Sequence, residues 1–164
     1  MFYKFICHIK CVIKKFFLIF YRNIKIGKKT TWRKCFTIRT ERNGIITIGQ
    51  NNFFNNYCSI TSLNKICIGN DCLFGENVKI YDHNHKFNDL SKKIKEQGFN
   101  IGEVKIGNNC WIGSNVVILK GADIGDNCVI GAGCIISNKI EKNTIVRQNN
   151  SMLKIERIRG VHDK

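Results

Sequence analysis

The chain has 164 residues, 43% apolar and 24% charged, a composition that excludes an intrinsically disordered protein and predicts one domain with a single core. Its formal net charge of +15, from 27 basic and 12 acidic residues, fits a polyanionic cofactor or a lipid surface as partner, and a bias of overall composition towards lysine is the alternative. Nucleic acid is disfavoured because no recognised nucleic-acid motif is present and the basic residues are interpreted as scattered along the chain.

The first predicted element is an amphipathic, basic helix over residues 1–22. Its apolar residues recur at helical spacing, namely Phe2, Phe5, Ile6, Ile9, Ile13, Phe16, Phe17 and Phe20. Lysines interrupt this series too often for a transmembrane span, and no small-residue cleavage site marks a signal peptide. We expect the helix either to pack on the domain that follows or on a neighbouring subunit, or to lie on an anionic membrane surface.

A six-residue repeat follows and extends through most of the chain. Two short series of large apolar residues start at Ile48 and Ile68, and one longer series contains Ile106, Ile112, Ile118, Ile124, Ile130 and Ile136. Glycine often comes next, as at Gly49 and Gly107, and is interpreted as the residue that tolerates a positive φ in a tight turn. Such a unit cannot bury its own apolar face, so the repeats must stack on one another.

Cysteine occupies the small inward position of the repeat, four places after the large apolar residue, at Cys58, Cys72, Cys110, Cys128 and Cys134. A thiol at such a position behaves as a compact apolar side chain. The nine cysteines include no CxxC pair and no histidine accompanies them at zinc-finger spacing. We therefore expect neither disulfides nor a metal site, and a reduced, cytoplasmic protein.

The repeat is interrupted once, by an insertion at about residues 82–104. An insertion in a stacked scaffold becomes a surface loop, and loops on rigid scaffolds commonly carry function. This one begins after Ile80 and contains His83 and His85, whose imidazole groups can accept a proton near neutral pH. Asp82 supplies a carboxylate that can fix a histidine tautomer and stabilise the imidazolium.

Further motifs follow the histidines. The insertion contains Gln97-Gly98, and the repeats that resume near Ile106 contain Trp111-Ile112-Gly113-Ser114. The chain ends in a tail, residues 147–164, where the sequence from Ile155 to Arg159 predicts a short helix.

The repeats, together with the Asp82-His83-Asn84-His85 string and the two later motifs in that order, resemble the sugar O-acetyltransferase branch of the hexapeptide-repeat acyltransferases. The resemblance covers roughly residues 24–146. It implies an all-β fold, a left-handed parallel β-helix of triangular section, with an N-terminal amphipathic helix, an inserted active-site loop and a short C-terminal helix. The implied divisions are residues 1–22, a catalytic β-helix over residues 23–146, and the tail.

The resemblance also implies a mechanism. In such enzymes a loop histidine is the general base for an acceptor hydroxyl, which attacks the thioester of acetyl-CoA directly, without a covalent acyl-enzyme. Ungapped placement from the preceding strand puts His85 at the position of the base. His83 is the alternative, and it otherwise shapes the loop or touches the acceptor sugar. Asp82 completes the catalytic group.

By the same resemblance, the coils after the insertion bind the co-substrate acetyl-CoA. A backbone donor near Gly113 and Ser114 is expected to stabilise the oxyanion, while Trp111 either lines the pocket or packs as a corner residue. Phosphate contacts are expected from Gly131, Ala132, Lys139, Lys142 and Lys154. The tail departs from the family, since it lacks the usual Gly-x-Pro-Ala-Lys type segment.

Three functions fit these features. The first is acetyl-CoA-dependent O-acetylation of a sugar hydroxyl on a cell-surface polysaccharide or its precursor. The second is N-acetylation of an amino sugar or of a small molecule such as an antibiotic. The third is a non-catalytic solenoid or a carbonic anhydrase-like protein, for which two loop histidines are too few zinc ligands.

The partners expected from the resemblance are a sugar or polysaccharide acceptor and two further copies of the chain. The family forms homotrimers whose pockets lie between subunits. We expect no metal and no nucleic acid. The expected location is cytoplasmic, at the inner face of the membrane if the N-terminal helix makes a peripheral contact with lipid.

Overall fold

The computed structural model describes residues 22–89, 91–149 and 152–157. The helix expected over residues 1–22 lies outside these ranges except for its last residue. The described chain winds through about six turns around one core, in the left-handed parallel β-helix that the sequence predicted. No described segment forms a helix that is long and apolar enough to cross a membrane.

Each of the first five turns contributes one short strand to each of three sheets, and the sixth contributes strands to two of them. Sheet A contains β1 (Ile24–Ile26), β4 (Ile45–Ile48), β7 (Lys65–Ile68), β12 (Glu103–Ile106), β15 (Asp123–Ile124) and β18 (Lys139–Ile140). Sheet B contains β2 (Thr31–Trp32), β5 (Phe53–Phe54), β8 (Leu73–Phe74), β13 (Trp111–Ile112), β16 (Val129–Ile130), β19 (Thr144–Asn149) and β20 (Met152–Arg157). Sheet C contains β3 (Thr37–Thr40), β6 (Ser59–Ser62), β9 (Lys79–Tyr81), β14 (Val117–Ile118) and β17 (Ile135–Ile136).

The sheets meet at three edges, which we name A/B, B/C and C/A in the order in which the chain crosses them. The insertion leaves the C/A edge after the third turn and forms a hairpin. In this hairpin β10 (His83–His85) pairs antiparallel with β11 (Phe99–Ile101), and a 3-10 helix (Ile94–Glu96) lies between them.

The large apolar residues of the repeat stack in register inside the coil. In sheet B, for example, Phe54 pairs with Phe74, which pairs in turn with Ile112, and the side chains of all three are buried. The two phenylalanine rings are stacked with their centroids 4.3 Å apart. Each turn therefore supplies the apolar surface that its neighbours need, as the stacking argument predicted.

The interpretation of the glycines was wrong. Positive φ falls mainly on the residue two places further on, such as Asn109 (φ 52°) and Asn127 (φ 57°), because asparagine tolerates this region better than most residues. Gly107 is required for space: a Cβ there would lie 2.7 Å from the backbone nitrogen of Asp126 and 2.8 Å from the carbonyl carbon of Gly125. Glycine at this position lets successive turns approach closely.

The predicted inward cysteines are all buried, and four of them also act as hydrogen-bond donors, Cys58 to the Gly75 carbonyl over 3.1 Å and three others at one edge. At the A/B edge the thiols of Cys72, Cys110 and Cys128 each donate to a backbone carbonyl of the next turn over 3.2 Å. Thr30 and Asn52 make the equivalent bonds in the first two turns, at 2.8 and 2.9 Å. Burial raises the pKa of Cys128, which keeps this thiol protonated as a donor.

The short helix predicted from Ile155 to Arg159 was wrong over the part that the structure describes. Residues 152–157 instead form β20, which pairs antiparallel with β19 on sheet B. Apolar and charged residues alternate from Leu153 to Glu156, which is the period of a strand. The last parallel strand would otherwise leave a row of unpaired backbone groups, and β20 covers that edge.

Candidate active site

Asp82 anchors the hairpin where it leaves the coil. Its side chain is fully buried, and its carboxylate accepts hydrogen bonds from the Ser62 hydroxyl (2.6 Å) and from the backbone N–H groups of Leu63 and Asn64 (2.9 Å each). Burial by itself would raise the pKa of Asp82, but these hydrogen bonds outweigh it and hold the pKa below its usual value. The result is an ionised carboxylate fixed to the preceding turn.

Of the two hairpin histidines, Asp82 contacts His83. The Nδ1 atom of His83 lies 3.0 Å from Oδ1 of Asp82, and the His83 side chain is 16% exposed. Its ring also meets the ring of Phe99 edge-on, with centroids 5.4 Å apart. The predicted carboxylate partner therefore orients His83 and holds it against the hairpin.

His85 faces a different environment. It is exposed and lines a cavity of about 510 Å³ between the hairpin and the C/A edge of the next turn. The other lining residues are mostly polar or basic, and comprise Asn84, Lys86, Phe87, Asn88, Asp89, Lys92, Glu96, Gln97, Asn100 and Lys120. Side-chain amides both donate and accept hydrogen bonds, so this lining suits a ligand that carries several hydroxyl groups.

Phe99 links both histidines to the first turn of the coil. Its ring lies 4.6 Å from that of His85, centroid to centroid, and the guanidinium carbon of Arg42 lies 5.1 Å from the Phe99 ring centre. Cation–π contacts of this kind favour arginine. Sequence reasoning singled out neither residue, because their contact exists only once the hairpin lies along the C/A edge.

The Gln97-Gly98 pair closes the loop of the hairpin. The Gln97 amide group donates to the carbonyl groups of Asp89 (2.9 Å) and Lys92 (3.1 Å) and accepts from the Asp89 N–H (3.0 Å). Gly98 has a φ of 75°, and its carbonyl accepts from the N–H of Lys86 at 3.0 Å. The motif therefore shapes the wall of the cavity, where both Gln97 and Lys86 lie.

The residues expected near the thioester lie on sheet B and at the B/C edge. Trp111 is on the outer face of sheet B and is 58% exposed, so it is not a packed corner residue. The N–H of Gly113 donates to the Ile130 carbonyl at 2.7 Å, so this donor is already bonded within the coil. The hydroxyl of Ser114 accepts from the N–H of Glu76 at 3.1 Å.

Gly131 and Ala132 lie one turn further along the same edge, against the Gly113 turn. The N–H of Gly131 is also used within the coil, where it donates to the Val146 carbonyl at 2.8 Å. Ala132 is exposed. A Cβ at Gly113 would lie 2.6 Å from the nitrogen of Ala132, which shows how closely the two turns pack.

The lysines expected to contact phosphate lie elsewhere. Lys139 is on the outer face of sheet A, where it forms an exposed ion pair with Glu141 over 2.9 Å. Lys142 is exposed at the A/B edge, and both lysines line a shallow cavity of about 560 Å³ that also contains acidic residues. The backbone of Lys154 lies in β20, opposite Arg147.

One protomer therefore does not bring all the predicted residues together. Asp82, His83 and His85 meet at the C/A edge, whereas the residues expected to bind the co-substrate occupy sheet B, the B/C edge and sheet A. Among the described side chains, no three His, Cys, Asp or Glu residues are grouped closely enough to hold a metal ion.

Comparisons with known proteins agree with this architecture. The family described as "Bacterial transferase hexapeptide (six repeats)" matches residues 103–138. The putative lipopolysaccharide biosynthesis O-acetyl transferase WbbJ of Escherichia coli K12 is 32% identical over 110 residues, which are 63% of this chain and 56% of that protein. The matched region covers 27–58% of the length of the curated relatives.

Two solved structures share the fold and part of the sequence. The crystal structure of a maltose O-acetyltransferase from Clostridium difficile 630 superposes with a TM-score of 0.69 and 31% identity, over 85% of this chain and 72% of that one. A galactoside acetyltransferase in complex with coenzyme A superposes with a TM-score of 0.64 and 27% identity, over 80% of this chain and 66% of that one.

Proposed function

The chain belongs to the hexapeptide-repeat acyltransferase family, and from that premise we propose that it is an acetyl-CoA-dependent O-acetyltransferase. The acceptor is a sugar hydroxyl of a cell-surface polysaccharide or of its precursor. The similarity to a protein named as a putative lipopolysaccharide biosynthesis O-acetyl transferase and to one named as a maltose O-acetyltransferase supports this acceptor class. A precursor carried on a lipid would place the reaction at the inner face of a membrane, and the proposal includes that location.

The observation that carries the proposal is a solvent-accessible imidazole at a polar cavity, on a hairpin fixed to a rigid coil. His85 lines the cavity, and the buried Asp82 carboxylate holds the base of the hairpin. Rigid placement matters because a general base must lie within hydrogen-bond reach of the proton that it removes. The amides around His85 can bind the other hydroxyl groups of the sugar and so orient the reacting one.

His85 acts as the general base in this mechanism. The thioester of acetyl-CoA supplies the acetyl group. His85 takes the proton of the acceptor hydroxyl as its oxygen attacks the thioester carbon. The C–S bond then breaks and the imidazolium returns the proton to the departing sulfur, so that His85 ends the cycle neutral.

We assign His83 and Asp82 to positioning. His83 is mostly buried and is held by Asp82 through Nδ1, and it is not among the described residues that line the cavity. His83 contacts the Phe99 ring, and the same ring packs against His85. His83 thereby holds in place the aromatic ring that His85 contacts. The pair therefore sets the orientation of His85 without touching the acceptor.

The complete site needs a second copy of the chain. In a triangular section the C/A edge lies opposite sheet B, so His85 and Trp111 of one protomer are on opposite sides. Both sides expose large apolar side chains, Phe87, Ile94 and Ile101 on the hairpin and Leu73 and Trp111 on sheet B. Contact between two different surfaces of identical chains forms a ring when the rotation between neighbours closes, and three copies related by 120° close in this way.

A homotrimer built this way would set the hairpin of one protomer beside the coil residues of the next. Trp111, Gly113 and Ser114 would then face His85 across the interface. Because the Gly113 N–H is bonded within the coil, the Ser114 N–H is our candidate donor to the oxyanion. Exposed Ala132 and Lys142, with Gly131, Lys139 and Lys154, are the candidates for contacts to coenzyme A, whose phosphates favour lysine and backbone donors.

The test is thiol release from acetyl-CoA against a panel of oligosaccharides and amino sugars. Replacing His85 with alanine should lower kcat/KM by on the order of 10²–10⁴. His83→Ala should cost less, because it removes positioning only, and Lys65→Ala on sheet A is the control that should match the parent. Size-exclusion chromatography with light scattering, run on the same samples, should report a trimer.

Four outcomes would contradict parts of the proposal. Full activity in His85→Ala would show that His85 is not the general base. Loss of activity in His83→Ala alone would assign that role to His83. A fully active monomer would refute the shared site. Transfer to amino sugars alone would replace O-acetylation by N-acetylation on the same fold.

A further inference from the structure

The basic residues are concentrated at one end of the coil, so their interpretation as scattered was wrong. Residues 22–42, which form the first turn, contain eight basic residues and one acidic residue. Residues 43–146, which form the remaining turns and the hairpin, contain ten basic and nine acidic residues. A bias of overall composition would affect all turns alike, so the first turn requires its own explanation.

The positive side chains encircle the first turn. Lys25 lies on sheet A and Arg39 on sheet C, while the other positions fall at the three edges and comprise Lys28, Lys29, Arg33, Lys34 and Arg42. All seven are exposed. We name this set the basic ring. The single acidic residue of the turn is Glu41, so the basic ring is not neutralised within its own turn.

We propose that the basic ring is a docking surface for an anionic membrane. Each lysine or arginine held near an anionic leaflet contributes to binding, and the contributions add while the residues stay within the screening length of the surface. In the homotrimer proposed above, cyclic symmetry would put three basic rings on the same side of the assembly, which strengthens attachment to a flat surface.

The adjoining sequence favours lipid over nucleic acid as the partner. Residues 1–21 contain four lysines and no acidic residue, and eight apolar residues recur there at helical spacing. A membrane interface binds segments that combine apolar side chains with positive charge, whereas binding to the phosphates of nucleic acid requires only the positive charge. The basic ring and this segment are contiguous in the chain.

The basic ring also lies close to the candidate active site. Arg42 belongs to the ring and contacts Phe99, which packs on His85. Docking through the ring would therefore bring the C/A edge near the membrane, where an acceptor carried on a lipid would be found. This last step rests on the proposed function, but the docking itself does not.

The experiment is cosedimentation of the full chain with vesicles of phosphatidylcholine alone or of phosphatidylcholine mixed with phosphatidylserine. We expect binding to the anionic vesicles only, and weaker binding as salt is added. The triple variant Lys25→Gln, Lys28→Gln, Lys29→Gln should lower the partition coefficient roughly 100-fold. Its control, Lys65→Gln, Lys95→Gln, Lys105→Gln, removes the same charge from exposed positions outside the first turn and should bind within about 3-fold of the parent.

Equal loss of binding in the two triple variants would overturn the proposal, since net charge alone would then explain the attachment. So would binding to duplex DNA without binding to vesicles. Acetyl transfer to a soluble sugar, measured in parallel, separates the two proposals. Transfer without vesicle binding would refute the docking surface alone, and vesicle binding without transfer would refute the acetyltransferase alone.

Discussion

The coil and the hairpin are built on opposite rules. The turns of the coil repeat the same contacts, with apolar side chains stacked in register and, in the inner turns, backbone bonds to both neighbours. In the hairpin, none of the described side chains from His83 to Ile101 is buried, and no contact is repeated. The coil derives its stability from repetition, whereas the hairpin depends on a few individual contacts, at its base, in its loop and with the first turn.

The difference indicates that substitutions have wider structural effects in the coil than in the hairpin. A change inside the coil disturbs turns on either side, because each residue packs against its equivalents above and below. A change in the hairpin affects the cavity and the histidines and leaves the core intact. The buried Asp82 is the junction between the two regions, since it is held by the coil and contacts His83.

The largest effect should come from matched glycine substitutions in the two regions. Gly107→Ala places a Cβ 2.7 Å from backbone of the next turn and should lower the free energy of unfolding by about 3 kcal/mol. Gly98→Ala in the hairpin has open space around it and bears only the cost of a positive φ, about 1 kcal/mol. Urea denaturation at one protein concentration measures both, and equal losses would erase the contrast between the regions.

Substitution of Asp82 tests the junction. The two carboxylate oxygens of Asp82 together accept three hydrogen bonds from the coil. Asp82→Asn replaces one of these oxygens with an NH₂ donor and should lower the free energy of unfolding by about 2 kcal/mol. The pKa of Asp82 is lower in the folded state than its ordinary value of 3.8. Its charge therefore stabilises the folded parent fully at pH values above 3.8, and this stabilisation is lost as the pH falls through the folded-state pKa.

The corresponding measurement is the free energy of unfolding as a function of pH. The parent should lose stability below pH 3.8 more steeply than Asp82→Asn does, with the two curves converging in acid. Parallel curves would show that Asp82 does not anchor the hairpin through its charge.

The smallest effect should follow removal of the contact between the hairpin and the first turn. Arg42→Ala deletes a cation–π contact with Phe99 of about 0.5–1 kcal/mol and should speed hydrogen exchange of the Lys86 amide 2- to 5-fold, at unchanged thermal stability of the coil. Arg39→Ala, an exposed change on sheet C of the same turn, is the control. Identical exchange in the two variants would mean that the hairpin is held at its base alone.

Much of the coil was predictable from the sequence by itself. Its six-residue period predicted the parallel stacking, the inward isoleucines and the buried cysteines. The reason is that a short repeat cannot bury its apolar face alone and must stack on its neighbours. The break in that period located the hairpin and its two histidines. The role of the glycines and the terminal strand were predicted wrongly, because they depend on the distance between turns and on an unpaired sheet edge.

Only the tertiary structure decided which groups meet. Residues distant in sequence become neighbours when the chain has completed whole turns, so Arg42 contacts Phe99 and Ser62 contacts Asp82, and no local pattern marks either pair. The same geometry separates His85 from Trp111 within one protomer and gathers the positive charge into a ring. A sequence records the period of a solenoid, whereas the position of each side chain around its section emerges only when the turns are stacked.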